Sequence, residues 1–206
     1  MSLRFAILGF LSSTPSTGYR IAREFAIGAG SFWSALPSQI YPELRALEKA
    51  GLIEGEQDES NRLGRRIFHL TEAGEAALRE WVDSPVEYPP ERDAERVRLL
   101  FLDLDPAALK RHLERHREHH RERLARWREL LASVLSGQHP QLQARLAIRP
   151  PAEHAYMLWT KRLAIEGSIA RAEQEIAWAE KALADLAREP HGLAAGPQGT
   201  GRQQEA

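Results

Sequence analysis

The stretch 31–52, SFWSALPSQIYPELRALEKAGL, constrains this chain's fold more than any other. Ile40, Leu44, Leu47 and Ala50 recur at the spacing of one helix face, so they must be buried against other helices. Gly51 stops that helix. Pro42 places the start nearby, because a proline deep in a helix loses a hydrogen bond and clashes with the preceding turn; Ser38 or Gln39 is the expected N-cap. Ser38, Gln39, Tyr41, Arg45 and Lys49 are left outside. Hydroxyl, amide and guanidinium groups near a helix start are the chemistry that contacts base edges and phosphates, though an ordinary solvated face has the same composition.

The flanking sequence supplies partners for the apolar face. Leu3, Ala6, Ile7, Phe10 and Leu11 predict a first amphipathic helix, and Ser16 or Thr17 can cap a second one that buries Ile21, Ala22 and Phe25. Phe32 and Trp33 lie in the loop before the third helix and are too apolar to be left in water. Residues 52–56 and 66–70 are strand-like runs around the turn-forming QDESNRLG, a hairpin whose tip carries Arg62, Arg65 and Arg66. Thr71 is the expected N-cap of a fourth helix to about Asp83, with Ala77, Leu78 and Trp81 inward. Three helices, a hairpin and a fourth helix describe a winged helix-turn-helix. In that fold the third helix enters the major groove and the hairpin lies over the backbone or minor groove.

The segment SPVEYPP at 84–90 breaks the chain, and everything beyond it reads as helical. Val97, Leu100, Phe101 and Leu104 form one stripe. A long charged helix over 107–136 and a short one near 142–148 follow. From 152 to 187, Leu158, Arg162, Ile165, Ile169, Ala172, Ile176, Ala179, Leu183 and Leu186 alternate in steps of four and three, a coiled-coil seam with one polar position. Such a helix needs a partner, so Leu158, Ile165, Ile169, Ala172, Ile176, Leu183 and Leu186 are the expected dimer interface. The chain thus reads as mostly α: a winged helix-turn-helix at 1–84, a linker at 85–91, an all-helical dimerisation domain at 92–188 and a disordered tail at 189–206.

Other features bound the chemistry. There are no cysteines, which removes disulfides, thiolate metal sites and cysteine nucleophiles. No hydrolytic triad order, carboxylate pair, P-loop or dinucleotide fingerprint occurs in a supporting context, so an enzyme is not expected. With no leader pattern and no membrane-length apolar run, a cytoplasmic protein is expected. The formal net charge of −1 argues against nucleic acid unless the basic groups are local. His112, His116 and His120 are spaced i, i+4, i+8, with His119 alongside. That spacing could place a metal site on one helix face; without cysteine, and with Glu and Arg interleaved, His116 and His120 read instead as polar interruptions of the apolar stripe, and no metal or cofactor is expected. Trp33, Trp127, Tyr156 and Trp159 suit either an apolar effector pocket or an aromatic dimer core.

The run SFWSALPSQIYPELRALEKAGLI, Gly18 with Tyr19, and GRRIFHLTEAGEAALREW after the wing together resemble the PadR family of bacterial transcriptional regulators. The resemblance covers nearly all of the N-terminal domain. The C-terminal half resembles the helical dimerisation extension of that family's longer subgroup. What it implies is a homodimer on a palindromic double-stranded DNA operator, usually a repressor and often released by a small molecule, here an aromatic one. The matching positions are Tyr19, Ser38, Gln39, Tyr41, Arg45, Arg62, Arg65 and Arg66. By their chemistry, Gln39 and Arg45 suit base edges, Ser38, Tyr19 and Tyr41 suit phosphates, and the wing arginines suit backbone or minor groove. The near-neutral charge leaves one alternative, a winged-helix module that binds protein instead of DNA.

Overall fold

The computed structural model describes residues 2–27, 35–57, 65–86, 88, 90, 93–102 and 106–188. Two compact units emerge, Met1–Pro89 with Ala132–Arg162, and Pro90–Leu131 with Leu163–Ala206. Residues 132–162 therefore group with the N-terminal elements and not with the rest of the expected 92–188 body. The tail from 189 onward lies outside the described residues.

In the first unit, α1 (Ser2–Leu11), α2 (Gly18–Ile27) and α3 (Pro37–Lys49) converge on Ile7, Leu8, Leu11, Ile21, Phe25, Ile40, Leu44 and Leu47, all buried. Strands β2 (Ile53–Gln57) and β3 (Arg66–Leu70) are the expected hairpin, with Ile53 opposite Leu70 and Gln57 opposite Arg66. An unforeseen two-residue strand, β1 (Ser16–Thr17), pairs antiparallel with β3 and makes the sheet three-stranded, in the order β1-β3-β2. Thr17 still caps α2, its Oγ1 accepting the Arg20 N–H at 3.2 Å.

Helix α4 (Glu72–Asp83) begins as expected, with the Gly74 N–H donating to Thr71 Oγ1 at 3.0 Å. It docks so closely that a Cβ on Gly74 would lie 2.0 Å from the Leu52 carbonyl oxygen. Trp81 does not point into the core. It stacks on Phe5 at 4.9 Å between centroids and is 42% exposed. The unit also contains α7 (Pro140–Ala147), whose Pro140 occupies the first turn, where a missing N–H costs nothing.

The second unit is built on α5 (Ala94–Leu99), α6 (Pro106–Leu135) and α8 (Pro151–Arg188), the last two extending beyond it. Arg121 pairs with Glu180 at 2.7 Å and Arg128 with Glu173 at 2.8 Å, so α6 and α8 run antiparallel. Leu113, Leu124, Trp127, Ile165, Ala172 and Ala179 are buried. Helix α5 is only one and a half turns long, and Val97, Leu100 and Phe101 stand exposed at its end; Leu104 lies outside the described residues. Among the described residues no helix is long and apolar enough to cross a membrane.

Candidate nucleic-acid interface

The third helix starts earlier than the proline placed it. Its N-cap is Leu36, Pro37 is the first helical residue, and Pro42 lies inside. Leucine has no capping oxygen, so Gln39 supplies the missing contact: its Oε1 accepts the Leu36 N–H at 3.0 Å. Pro37 at the helix start offers no N–H that would need a partner. The cost is moved to Pro42, which cannot donate to the Ser38 carbonyl. At the other end Gly51 takes φ 71°, the Leu52 N–H reaches Leu47 O at 3.0 Å and the Gly51 N–H reaches Glu48 O at 2.9 Å. This glycine-closed end fixes where the helix turns into β2.

Ile40, Leu44 and Leu47 hold the inner face, while Ser38, Gln39, Tyr41, Arg45 and Lys49 are exposed. Tyr41 is 41% exposed because its ring lies across the start of α2, where a Cβ on Gly18 would meet Cε1 at 2.9 Å. The ring is thus packed and its edge remains open. Arg45 makes no hydrogen bond or ion pair among the described residues. Both carboxylates of α3 are paired: Glu43 with Arg4 at 3.0 Å, and Glu48 with Arg66 at 2.5 Å. The helix therefore presents Arg45 and Lys49 with its acids already neutralised. Local pairing, rather than net charge, sets the field a polyanion would meet.

The hairpin arginines divide. Arg66 is not free, since it grips Glu48 through both Nη atoms, donates to Gly55 O at 2.7 Å and lies 5.5 Å over the Phe68 ring. Its hydrogen bond is the main reason that the Glu48 carboxyl is held below the usual carboxylate range. The pairing ties β3 to α3. Arg65 donates to Thr17 Oγ1 at 3.4 Å and lines an open cleft of about 220 Å³ with Pro15, Ser16, Thr17, Arg20 and Ile67. Arg62 lies outside the described residues. Arg20 is a basic group the sequence reading left out of the site; its signal was its place one residue after Tyr19 on the exposed side of α2. Tyr19 is 67% exposed.

The other expected sites separate as well. On α8, Ile165 and Ala172 are buried within the chain, whereas Leu158, Ile169, Ile176, Leu183 and Leu186 are only half-buried. Two of these seven are consumed internally and the other five keep some apolar surface. Trp127 is buried in the second unit; Tyr156 and Trp159 form an exposed pair in the first, 5.8 Å between centroids; Trp33 lies outside the described residues.

A three-helix body with a three-stranded wing beside an outward-facing third helix defines a winged helix-turn-helix protein. Residues 7–80 match the Transcriptional regulator PadR-like family, and residues 91–187 match the Virulence activator alpha C-term family. The negative transcriptional regulator PadR of Bacillus subtilis is 38% identical over 81 residues, 39% of this chain and 44% of that one. The chain matches less than half the length of the curated relatives, 44% and 46% of theirs. Among solved structures, B. subtilis PadR in complex with operator DNA superposes with a TM-score of 0.69 at 23% identity, over 89% of this chain and 97% of that one. The Vibrio cholerae virulence activator AphA gives 0.64 at 27% identity, over 90% and 98%. The B. subtilis protein is also solved with p-coumaric acid, at 0.64 and 23% over 90% and 95%.

Proposed function

We infer that this chain is a sequence-specific DNA-binding transcriptional regulator acting as a homodimer. The observation that carries the reading is the outer face of α3, where Ser38, Gln39, Tyr41, Arg45 and Lys49 are exposed while Glu43 and Glu48 are held by Arg4 and Arg66. Arg45 suits a guanine edge. Gln39 keeps its amide NH₂ for a base or phosphate, its oxygen being committed to the helix start. Tyr19, Arg20, Ser38, Tyr41 and Arg65 suit backbone phosphates.

Dimerisation is supported by apolar surface that a single chain leaves uncovered. Leu100 is 75% and Phe101 60% exposed, and Ile169, Ile176 and Leu183 keep one side of α8 open. On this reading residues 1–84 bind DNA and 92–188 dimerise. Two α3 helices about 34 Å apart then read an inverted repeat.

A small aromatic acid is the favoured effector. Support comes from the B. subtilis relative solved with p-coumaric acid; Lys161 and Arg145, whose pKa values are pushed down by burial and then by neighbouring positive charge, are cations of the same unit as Tyr156 and Trp159.

Selection of genomic fragments by the full-length protein, followed by mobility shift, tests the main reading. Enrichment of an inverted repeat with strongly salt-dependent binding is expected. No retention at low salt, with a protein partner co-purifying instead, contradicts it.

A further inference from the structure

The fold brings a carboxylate of α5 to the histidine face of α6. His116 and His120 lie one helical turn apart with ring centroids 4.4 Å apart, and Glu95 of α5 reaches the same point. Each offers one ligand atom, and the three atoms all lie within 4.8 Å of one another. We propose that Glu95, His116 and His120 form a binding site for a divalent transition metal, of which zinc is the natural occupant, within the helical unit.

The hydrogen bonding of His116 supports a cation at this point. Its side chain is 1% exposed and lies between two carboxylates, Nδ1 being 2.7 Å from Glu95 Oε2 and Nε2 3.2 Å from Glu175 Oε2. Glu175 is in turn gripped by Arg96 at 2.8 and 3.1 Å, which, against its burial, holds its carboxyl low and ionised. With the ring proton on Nε2 and donated to Glu175, the Nδ1 lone pair faces the Glu95 carboxylate. Two acceptors at 2.7 Å require a positive centre between them, a proton or a metal ion. A carboxylate behind a ligating imidazole is also the arrangement that fixes ring orientation and raises basicity at metal sites.

The neighbours select among cations. Among the described residues His112 Nε2 is buried without a hydrogen-bond partner, and His112 lines the same cavity of about 350 Å³ as Glu95, His116 and His119. Arg98 and Arg115 also line it, which opposes a hard cation held by charge alone and favours one held by nitrogen donors. The Glu95 side chain is 49% exposed, giving an entry path and an open fourth position for water or another ligand. With bonds of about 2.0–2.1 Å, tetrahedral donors sit about 3.3 Å apart, so the Glu95–His116 pair at 2.7 Å must open slightly and the wider pairs, within 4.8 Å, must close to admit the ion.

The test uses the full-length chain stripped with chelator and titrated with Co(II), read by visible absorption, and with Zn(II), read by calorimetry. One ion per chain is expected, with a tetrahedral Co(II) spectrum that Zn(II) bleaches. His120→Ala and Glu95→Gln should each weaken binding by at least about tenfold, and Glu175→Gln, which only orients His116, by about 10–100-fold. His154→Ala, in the other unit, should leave binding unchanged. Circular dichroism confirms that each variant is folded, and Glu95→Gln, at the exposed edge, serves if His120→Ala is not. Absence of saturable binding at one equivalent, or full binding by the folded Glu95→Gln variant, overturns the proposal and leaves His116 as a ring hydrogen-bonded between Glu95 and Glu175.

Discussion

Removing the Arg66 side chain should loosen the wing without removing a DNA contact. The Arg66–Glu48 pair is two-pronged but 43% and 30% exposed, so its coupling is about 0.5–1 kcal/mol, the upper part of the range for surface pairs. Arg66→Ala also loses the bond to the Gly55 carbonyl, about another 0.5–1.5 kcal/mol. The single variant should therefore be destabilised by roughly 1–2.5 kcal/mol in urea unfolding, and only the coupling part should vanish when Glu48→Ala is already present. Arg66→Lys should recover little, because an ammonium cannot make the forked contact. Because the folded Glu48 pKa is depressed, the pair contributes fully above the unfolded value of about 4.3 and fades as the pH falls through the folded one, so acid should erase the coupling. In DNA binding, the slope of log K against log salt should be unchanged by Arg66→Ala and reduced by about 0.9 by Arg65→Ala, if Arg65 meets one phosphate. A double-mutant cycle with zero coupling, together with a reduced salt slope for Arg66→Ala, would refute the reasoning and return Arg66 to the DNA.

Three further outcomes are expected. Gly74→Ala places a Cβ 2.0 Å from the Leu52 carbonyl oxygen, and the backbone shift this forces should outweigh the better helix propensity, lowering stability by about 1–3 kcal/mol in thermal or urea unfolding. Ile176→Glu, on the half-open side of α8, should convert a dimer to monomers in sedimentation while preserving helicity; a dimer that persists locates the interface elsewhere. An aromatic carboxylate such as p-coumaric acid should change tryptophan fluorescence and weaken operator binding, and Lys161→Ala should abolish both effects; wild-type indifference would leave control by abundance.

Where the fold was legible, local physics was sufficient. The apolar spacing of Ile40, Leu44 and Leu47, the stop at Gly51 and the Thr71 cap are each decided within a turn or two of chain, and each stands in the structure. The start of α3 was misplaced because Gln39 at the third helical position normally accompanies a Ser or Thr cap, and here stands behind a leucine. Strand β1 left no trace because two residues cannot show alternation. The role of Arg66 depends on Glu48, 18 residues away, and the histidine cluster depends on Glu95, 21 residues from His116, pairings only the fold creates. Likewise, the α8 heptad marks an apolar seam but not which half the chain covers itself: Ile165, Ala172 and Ala179 are buried, while Ile169, Ile176 and Leu183 are not.

The central claim is that the exposed face of α3 reads DNA sequence, and fluorescence anisotropy with the selected operator and a scrambled duplex at matched salt tests it most directly. Arg45→Ala should lose about 1–3 kcal/mol of discrimination between the two, with its fold intact. An Arg45→Ala protein that keeps wild-type affinity and sequence preference would contradict the account.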